Sequence, residues 1–338
     1  MAPATPARRV TLEDVARHAG VSRALVSIVM RGVKGAGEET RARVLESARE
    51  LGYRPDVRAR ALAGQRSRLI GVTFGVTGSF HFDLLEGLYD AARGHGYDLV
   101  LSALTAGRDE QQAVDSLQDF RFDALVMLAP QTPSPVMAGV LPVVVVGWEV
   151  DDERVDVVRT SDDTAMRAAV DHLVDLGHRD ITHVGGGPGL VAASRRAAYA
   201  SAMGHHDLDA HVRVVEGGGE TQLDGMRAAH ELLAGPLPTA LVAYNDDVAV
   251  AVVGVLAQHG IDVPGELSVV GFDDRDIATL AAVPLTSVAQ DPVALAHAAI
   301  DRAVSRADGG EVTDRELVLD AVLQVRASTG PPRATARP

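Results

Sequence analysis

The chain has 338 residues, 46% of them apolar, enough for two or three domains with sizeable cores. It contains no cysteine, which excludes disulfides, thiolate metal sites and a cysteine nucleophile. The net charge of −14 conceals a split: residues 1–68 hold 14 Lys and Arg against 7 Asp and Glu, and the remainder carries −21. A basic head is drawn to a polyanion that an acidic body repels, so the amino-terminal segment is the one expected to meet nucleic acid. The opening MAPATPARRV lacks the apolar stretch of a signal peptide. No apolar run reaches the ~20 residues of a membrane span, so a cytoplasmic protein is expected.

Thr11 to Arg31, TLEDVARHAGVSRALVSIVMR, reads as two short helices on a tight turn. Leu12, Val15, Ala16 and Ala19 share one helical face. Thr11 can cap that helix, with Asp14 three residues on in a capping-box arrangement. Gly20 supplies the break, and Ser22 can cap a second helix from Arg23 to about Met30. Leu25, Val26, Val29 and Met30 can face inward and leave Arg23, Ser27 and Arg31 outward. This is the spacing of a helix-turn-helix, whose second helix enters a DNA major groove; an ordinary helical hairpin is the plain alternative. A third helix follows Gly37-Glu38-Glu39-Thr40 through about Leu51, with Val44, Leu45, Ala48 and Leu51 as its apolar stripe. The stretch from Asp56 to Arg68 reads as a solvated linker, or as a segment that folds only on DNA, where Leu62 can wedge between base steps.

From Leu69 apolar runs alternate with amphipathic segments. Strands are expected at Leu69–Phe74, Tyr97–Ala103, Ala124–Leu128, Val143–Val146, Val155–Arg159, Ile181–Gly185, His211–Val215, Ala240–Ala243, Leu267–Phe272 and Leu285–Ala289. Helices are expected at Asp83–His95, Asp109–Phe120, Asp162–Leu176, Arg195–Met203, Leu223–Leu233 and Asp246–His259. Strand–helix alternation implies parallel sheets, and this many strands imply two α/β lobes. A cleft between such lobes gathers the carboxyl ends of strands, where ligands bind. Gly185 to Gly189 follows a strand but lacks the Lys-Ser/Thr of a phosphate loop, so it reads as a strand-to-helix turn. His205, His206 and His211 have no metal-ligand spacing and read as a solvated loop. Nothing calls for a cofactor or a metal.

Eight segments in order resemble the LacI/GalR family of bacterial transcription regulators. They are TLEDVARHAGVSRALVS, EETRARVLESARELGYRPD, RARALAG, LLEGLYDAARGHGYDLVLS, AAVDHLVDLGHRDITHVGG, YNDDVAVAVVGVLAQHGIDVPGELSVVGFDD, PLTSVAQD and VRAST. The resemblance implies an all-α helix-turn-helix head (1–54), a hinge (55–68) and a two-lobed periplasmic-binding-protein-like α/β core (69–330), then a disordered tail (331–338). Lobe 1 would span about 69–159 plus 291–320, and lobe 2 about 160–290 plus 321–330. It also implies a homodimer, in some members a tetramer, on a near-palindromic operator, with a small sugar-like effector in the cleft shifting operator affinity. No leucine heptads follow Thr329, which favours the dimer.

Carried over by position, Arg23 and Ala24 would read base edges, and Ser22 and Ser27 would touch phosphate. Leu62, with Arg60 and Ala63 beside it, would be the minor-groove wedge, placing a flexible pyrimidine–purine step at the operator centre. Ile28 stands where many members have an Arg, Leu25 where Thr is usual, and Arg31 in the usual Asn position. The operator should therefore differ from the family's common one, with Ile28 against a thymine methyl. In the core, Phe80, Arg195, Asn245, Asp273 and Gln290 match effector positions, with Asp246 and Asp274 as either cleft groups or turn and cap residues. Gly147 replaces a usual Asp, and Glu220 a stacking aromatic that Trp148 could partly replace. The carboxylate-rich lining suits a polar or cationic ligand. The competing readings are a solute-binding protein without DNA activity and a sugar-modifying enzyme; the first leaves the basic head unexplained, and the second lacks a nucleophile elbow, phosphate loop or metal cluster.

Overall fold

The computed structural model describes residues 10–30, 35–53, 66–118, 120–133, 137–216 and 218–333. The chain divides into two compact units, residues 1–67 and 68–338. In the first, α1 (Leu12–Ala19), α2 (Arg23–Met30) and α3 (Glu38–Glu50) enclose a small core of Val15, Ala16, Ala19, Val26, Val29, Val44 and Ala48. The capping box forms as expected: Thr11 Oγ1 accepts from the Asp14 N–H at 3.3 Å, and Asp14 Oδ2 accepts from the Thr11 N–H at 2.9 Å. Gly20, at φ +64°, closes α1 by donating its N–H to the Ala16 carbonyl in a backbone conformation that a Cβ would strain. Ser22 Oγ accepts from the Leu25 N–H at 3.2 Å and so starts α2. Leu25 and Met30 are only half-buried on this helix; Val26 and Val29 carry the packing.

The second unit holds two six-stranded sheets. Strands β1 (Leu69–Gly75), β2 (Asp98–Leu104), β3 (Ala124–Leu128), β4 (Val143–Val146), β5 (Val155–Thr160) and β11 (Glu316–Leu319) form the first, in the order β11-β5-β4-β3-β1-β2. All its pairings are parallel. Strands β6 (Ile181–Val184), β7 (Arg213–Val215), β8 (Ala240–Ala243), β9 (Ser268–Asp273), β10 (Thr286–Ala289) and β12 (Val322–Gln324) form the second, in the order β12-β10-β9-β8-β6-β7. Here β12 runs antiparallel to β10, an edge the sequence reading did not anticipate. The chain passes between sheets at 160–162, 289–292 and 319–322.

Helices α4 (Phe80–Gly94) and α11 (Pro292–Ala307) pack together on the first sheet, with α5 (Glu110–Gln118) against β1 and β2. Asp291 caps α11 by accepting from the Ala294 N–H at 2.8 Å, with Pro292 at its first position, a start signal legible in the sequence. In the second lobe, α6 (Asp162–Asp175) packs with α7 (Leu190–Gly204), and α8 (Gln222–Leu233) with α9 (Asp246–Gln258), which also touches the short α10 (Asp276–Leu280). Alternation along β8 separates the two faces: Leu241 and Ala243 join the α8–α9 core, Ala240 and Val242 the α6–α7 core. Parallel strands thus point their carboxyl ends, and the amino termini of α4, α6, α7 and α9, toward the space between the lobes.

Candidate functional site

In the first unit, Ser22, Arg23 and Ala24 lie exposed at the start of α2, and Ser27 and Ile28 are half-buried one turn further on. Ala24, Ser27 and Ile28 lie on the side of α2 away from the buried Val26 and Val29, and Ser22 and Arg23 at its amino-terminal end. Ile28 lies against the segment after α2, its Cγ2 3.3 Å from where a Gly35 Cβ would stand. Arg31, Arg60, Leu62 and Ala63 lie outside the described residues.

In the second unit, an interlobe cavity of about 60 Å³ is lined by Phe80, Arg195, Glu220, Asn245, Asp273 and Gln290, so six expected residues from six different elements or loops meet. Trp148 is not in that lining; it is half-buried just beyond β4. The expectation that it stands in for the missing aromatic is therefore corrected. Gly147, at φ +87°, does line the cavity, and its backbone conformation disfavours any side chain there.

Arg195 dominates the centre. Its guanidinium lies 3.7 Å from the Phe272 ring centroid and 4.8 Å from that of Tyr244. Nε donates to Asp162 at 3.3 Å, Nη1 to the Tyr244 carbonyl at 2.7 Å, and Nη2 faces Asp273 at 3.6 Å. Burial opposes its charge, but Asp273, Tyr244 and Asp162 outweigh that and raise its pKa further. Three of its nitrogens thus meet partners within the protein, while the side chain still lines the cavity. Burial pushes the Asp273 carboxyl up, against the pull of Arg195 and of the Gln290 amide, which donates to it at 2.7 Å. Asp273 and Asp274 both have positive φ, +96° and +53°, so the chain turns under strain as it leaves β9.

Asn245 is also engaged: Oδ1 accepts from the Val248 N–H and Nδ2 donates to the Glu220 carbonyl, both at 2.9 Å. Asn245, not Asp246, caps α9. Asp246 is fully buried, accepting from Ser287 Oγ at 2.6 Å and from the Arg275 N–H at 2.8 Å. Burial, with the nearby charge of Asp273, pushes its carboxyl up to about 8 against those two hydrogen bonds. Asp274 pairs with Arg326 at 2.5 Å and serves the turn.

Residues missed in the sequence complete the site. Asp162 and Tyr244 follow directly on the cross-over after β5 and on β8, where carboxyl ends of strands gather. Tyr244 closes on Gly186, whose added Cβ would meet the ring at 2.4 Å. Contacts bridge the lobes: the Thr77 hydroxyl donates to Glu220, the Ser79 hydroxyl to Asp247, and Arg275 donates to Asp83 at 2.6 Å while facing Asp247 at 3.5 Å. At the cleft mouth a larger chamber of about 320 Å³ adjoins, bordered by Thr77, His81, Gln131, Gly186, Glu220 and Tyr244. That lies within the size range of small-molecule sites.

A helix-turn-helix with an outward polar face, joined in one chain to a two-lobed core with a polar cleft, defines a DNA-binding regulator with a ligand-sensing body. Comparison with known proteins agrees. Residues 11–56 match the model of bacterial regulatory proteins of the lacI family, and residues 170–329 that of a periplasmic binding protein-like domain. The HTH-type transcriptional regulator GalR of Escherichia coli K12 is 31% identical over 330 residues, covering 95% of this chain and 96% of its own. A LacI transcriptional regulator from a Rhodococcus species is 39% identical with a TM-score of 0.72, over 78% of this chain and 99% of that one. The lac repressor dimer bound to operator and the anti-inducer ONPF is 26% identical with a TM-score of 0.83, over 96% and 100%. The chain belongs to the LacI/GalR family of DNA-binding transcriptional regulators.

Proposed function

We propose that this protein is a transcriptional repressor that binds a near-palindromic operator as a homodimer and releases or tightens it in response to a small polar, sugar-like effector. The observation that carries this reading is the joint presence of an exposed α2 face and a polar interlobe cleft in one chain of this family. The lac repressor, solved as a dimer on its operator with the anti-inducer ONPF, supplies a functional parallel. Arg23 reads a guanine edge, Ala24 and Ile28 make apolar contacts with bases, and Ser22 and Ser27 anchor phosphate. Residues 55–68 form the hinge, with Leu62 as wedge over a central pyrimidine–purine step. Relatives include the probable HTH-type transcriptional repressor ExuR of Bacillus subtilis and the regulator GalR, which supports a regulator that works in the cytoplasm.

Effector and operator prefer different lobe arrangements, so each weakens or strengthens the other by the same factor. The bridging contacts Thr77–Glu220, Ser79–Asp247 and Arg275–Asp83 form when the lobes approach, and they are what a bound ligand strengthens or replaces. The test is binding to DNA from its own promoter region across a salt series. Log affinity should fall linearly with log salt as phosphate contacts release counterions. A flat response with no retention at any site refutes the regulator and favours a solute-binding protein.

A further inference from the structure

We propose that the effector is an amine-bearing polyol, cationic at neutral pH, whose ammonium group seats against Glu220; this rests on the cleft being the effector site. Three carboxylates line the central cavity, Asp162, Glu220 and Asp273, against one guanidinium, that of Arg195. Arg195 is already matched, facing both Asp162 and Asp273. Glu220 is not: among the described residues it has no ion pair, and its side chain accepts from the Thr77 hydroxyl across the cleft. No lysine or arginine is among the described residues that border the larger chamber. A half-buried carboxylate facing a cleft with no Lys or Arg partner of its own among the described residues is costly, and a ligand cation relieves that cost.

The rest of the lining fits the same ligand. His81, whose Nδ1 donates to the Gly75 carbonyl at 2.9 Å, borders the chamber as a further polar group. Gln131 and Thr77 add amide and hydroxyl groups. Across the chamber stands the amino terminus of α7, with Gly189 as a cap that offers no side chain. Its first-turn N–H groups are donors for hydroxyl oxygens. Such a wall also attracts anions, but an anion placed there would share the chamber with Glu220. A polyol with one amine satisfies both walls: hydroxyls on the helix, ammonium on the carboxylate.

The test uses matched hexoses that differ in charge: glucosamine, glucose and glucuronate, and the galactose series likewise. Each is titrated by calorimetry into the full-length protein, and scored for change in operator affinity. The amine of one series should bind at least about tenfold more tightly than its neutral partner, a gap that shrinks as salt rises from about 0.05 to 0.5 M. Glu220→Gln keeps the shape and removes the charge, and should close most of that gap. Tightest binding by a neutral or anionic sugar overturns the amine and leaves the effector reading standing. Undiminished amine selectivity in E220Q overturns the role of Glu220. No response to any sugar of any charge overturns both this inference and the sugar-like effector beneath it.

Discussion

Replacing Asp246 with Asn should make the core more stable at high pH and change it little at low pH. Asp246 is 0% exposed, beside Asp273, and its carboxyl is pushed up to about 8, while in the unfolded chain it titrates near 4. Between those values the unfolded carboxyl is ionised and the folded one keeps its proton, so folding takes up a proton and stability falls as pH rises. A gap of about four units at ~1.4 kcal/mol each sets a ceiling of ~6 kcal/mol. Relaxation around the charge and proton sharing with Asp273 reduce this to an expected ~2–4 kcal/mol. Asn keeps an oxygen for the Arg275 N–H and offers its amide to Ser287 Oγ, so its own cost is small. The assay is urea unfolding at pH 5, 7 and 9, followed by the fluorescence of Trp148, the single tryptophan, which lies in the core unit. The difference between variant and parent cancels the titrations that are not coupled to Asp246. It should be about 1 kcal/mol at pH 5, one unit above the unfolded value, and grow to its full value at pH 9. Parallel curves for the two proteins refute the argument.

Two further outcomes follow from the same geometry. Arg195→Ala leaves Asp162 and Asp273 facing each other without their cation and should cost the core ~3–5 kcal/mol, read as a drop in the Trp148-monitored melting temperature. Unchanged melting would mean the three charges are not coupled. Thr11→Ala removes the side-chain half of the capping box, leaving the bond from the residue-11 N–H to Asp14, and should cost the head ~1 kcal/mol, seen as faster amide exchange at Val15–Ala19 with the core transition unmoved.

The fold was legible wherever one local signal decided the matter. Thr11-Leu-Glu-Asp14 and Gly20 bracket α1 through caps that act within a few residues. The continuous valines at 143–146 could only be a strand buried on both faces, and β4 is fully buried. Two edge strands, β11 and β12, went unread because they are short and half-exposed and owe their pairing to partners more than 150 and about 35 residues away. Helix α7 begins at Leu190, five residues before its expected start, because Gly189 at φ +151° releases the chain from the glycine turn early.

What the sequence determined by itself is the list of parts: a basic capped head, alternating strands and helices, and the residue types that meet in the cleft. Caps, periodicity and charge act over a handful of residues, so they survive in a one-dimensional reading. The tertiary structure alone decided how those residues are employed. Asn245 and Arg195 were identified as ligand groups, yet both also bond within the protein, to Val248, Glu220, Asp162 and Tyr244. Glu220 keeps a carboxylate with no cation to meet it among the described residues. A hydrogen bond has two ends, and only folding brings the second one into range.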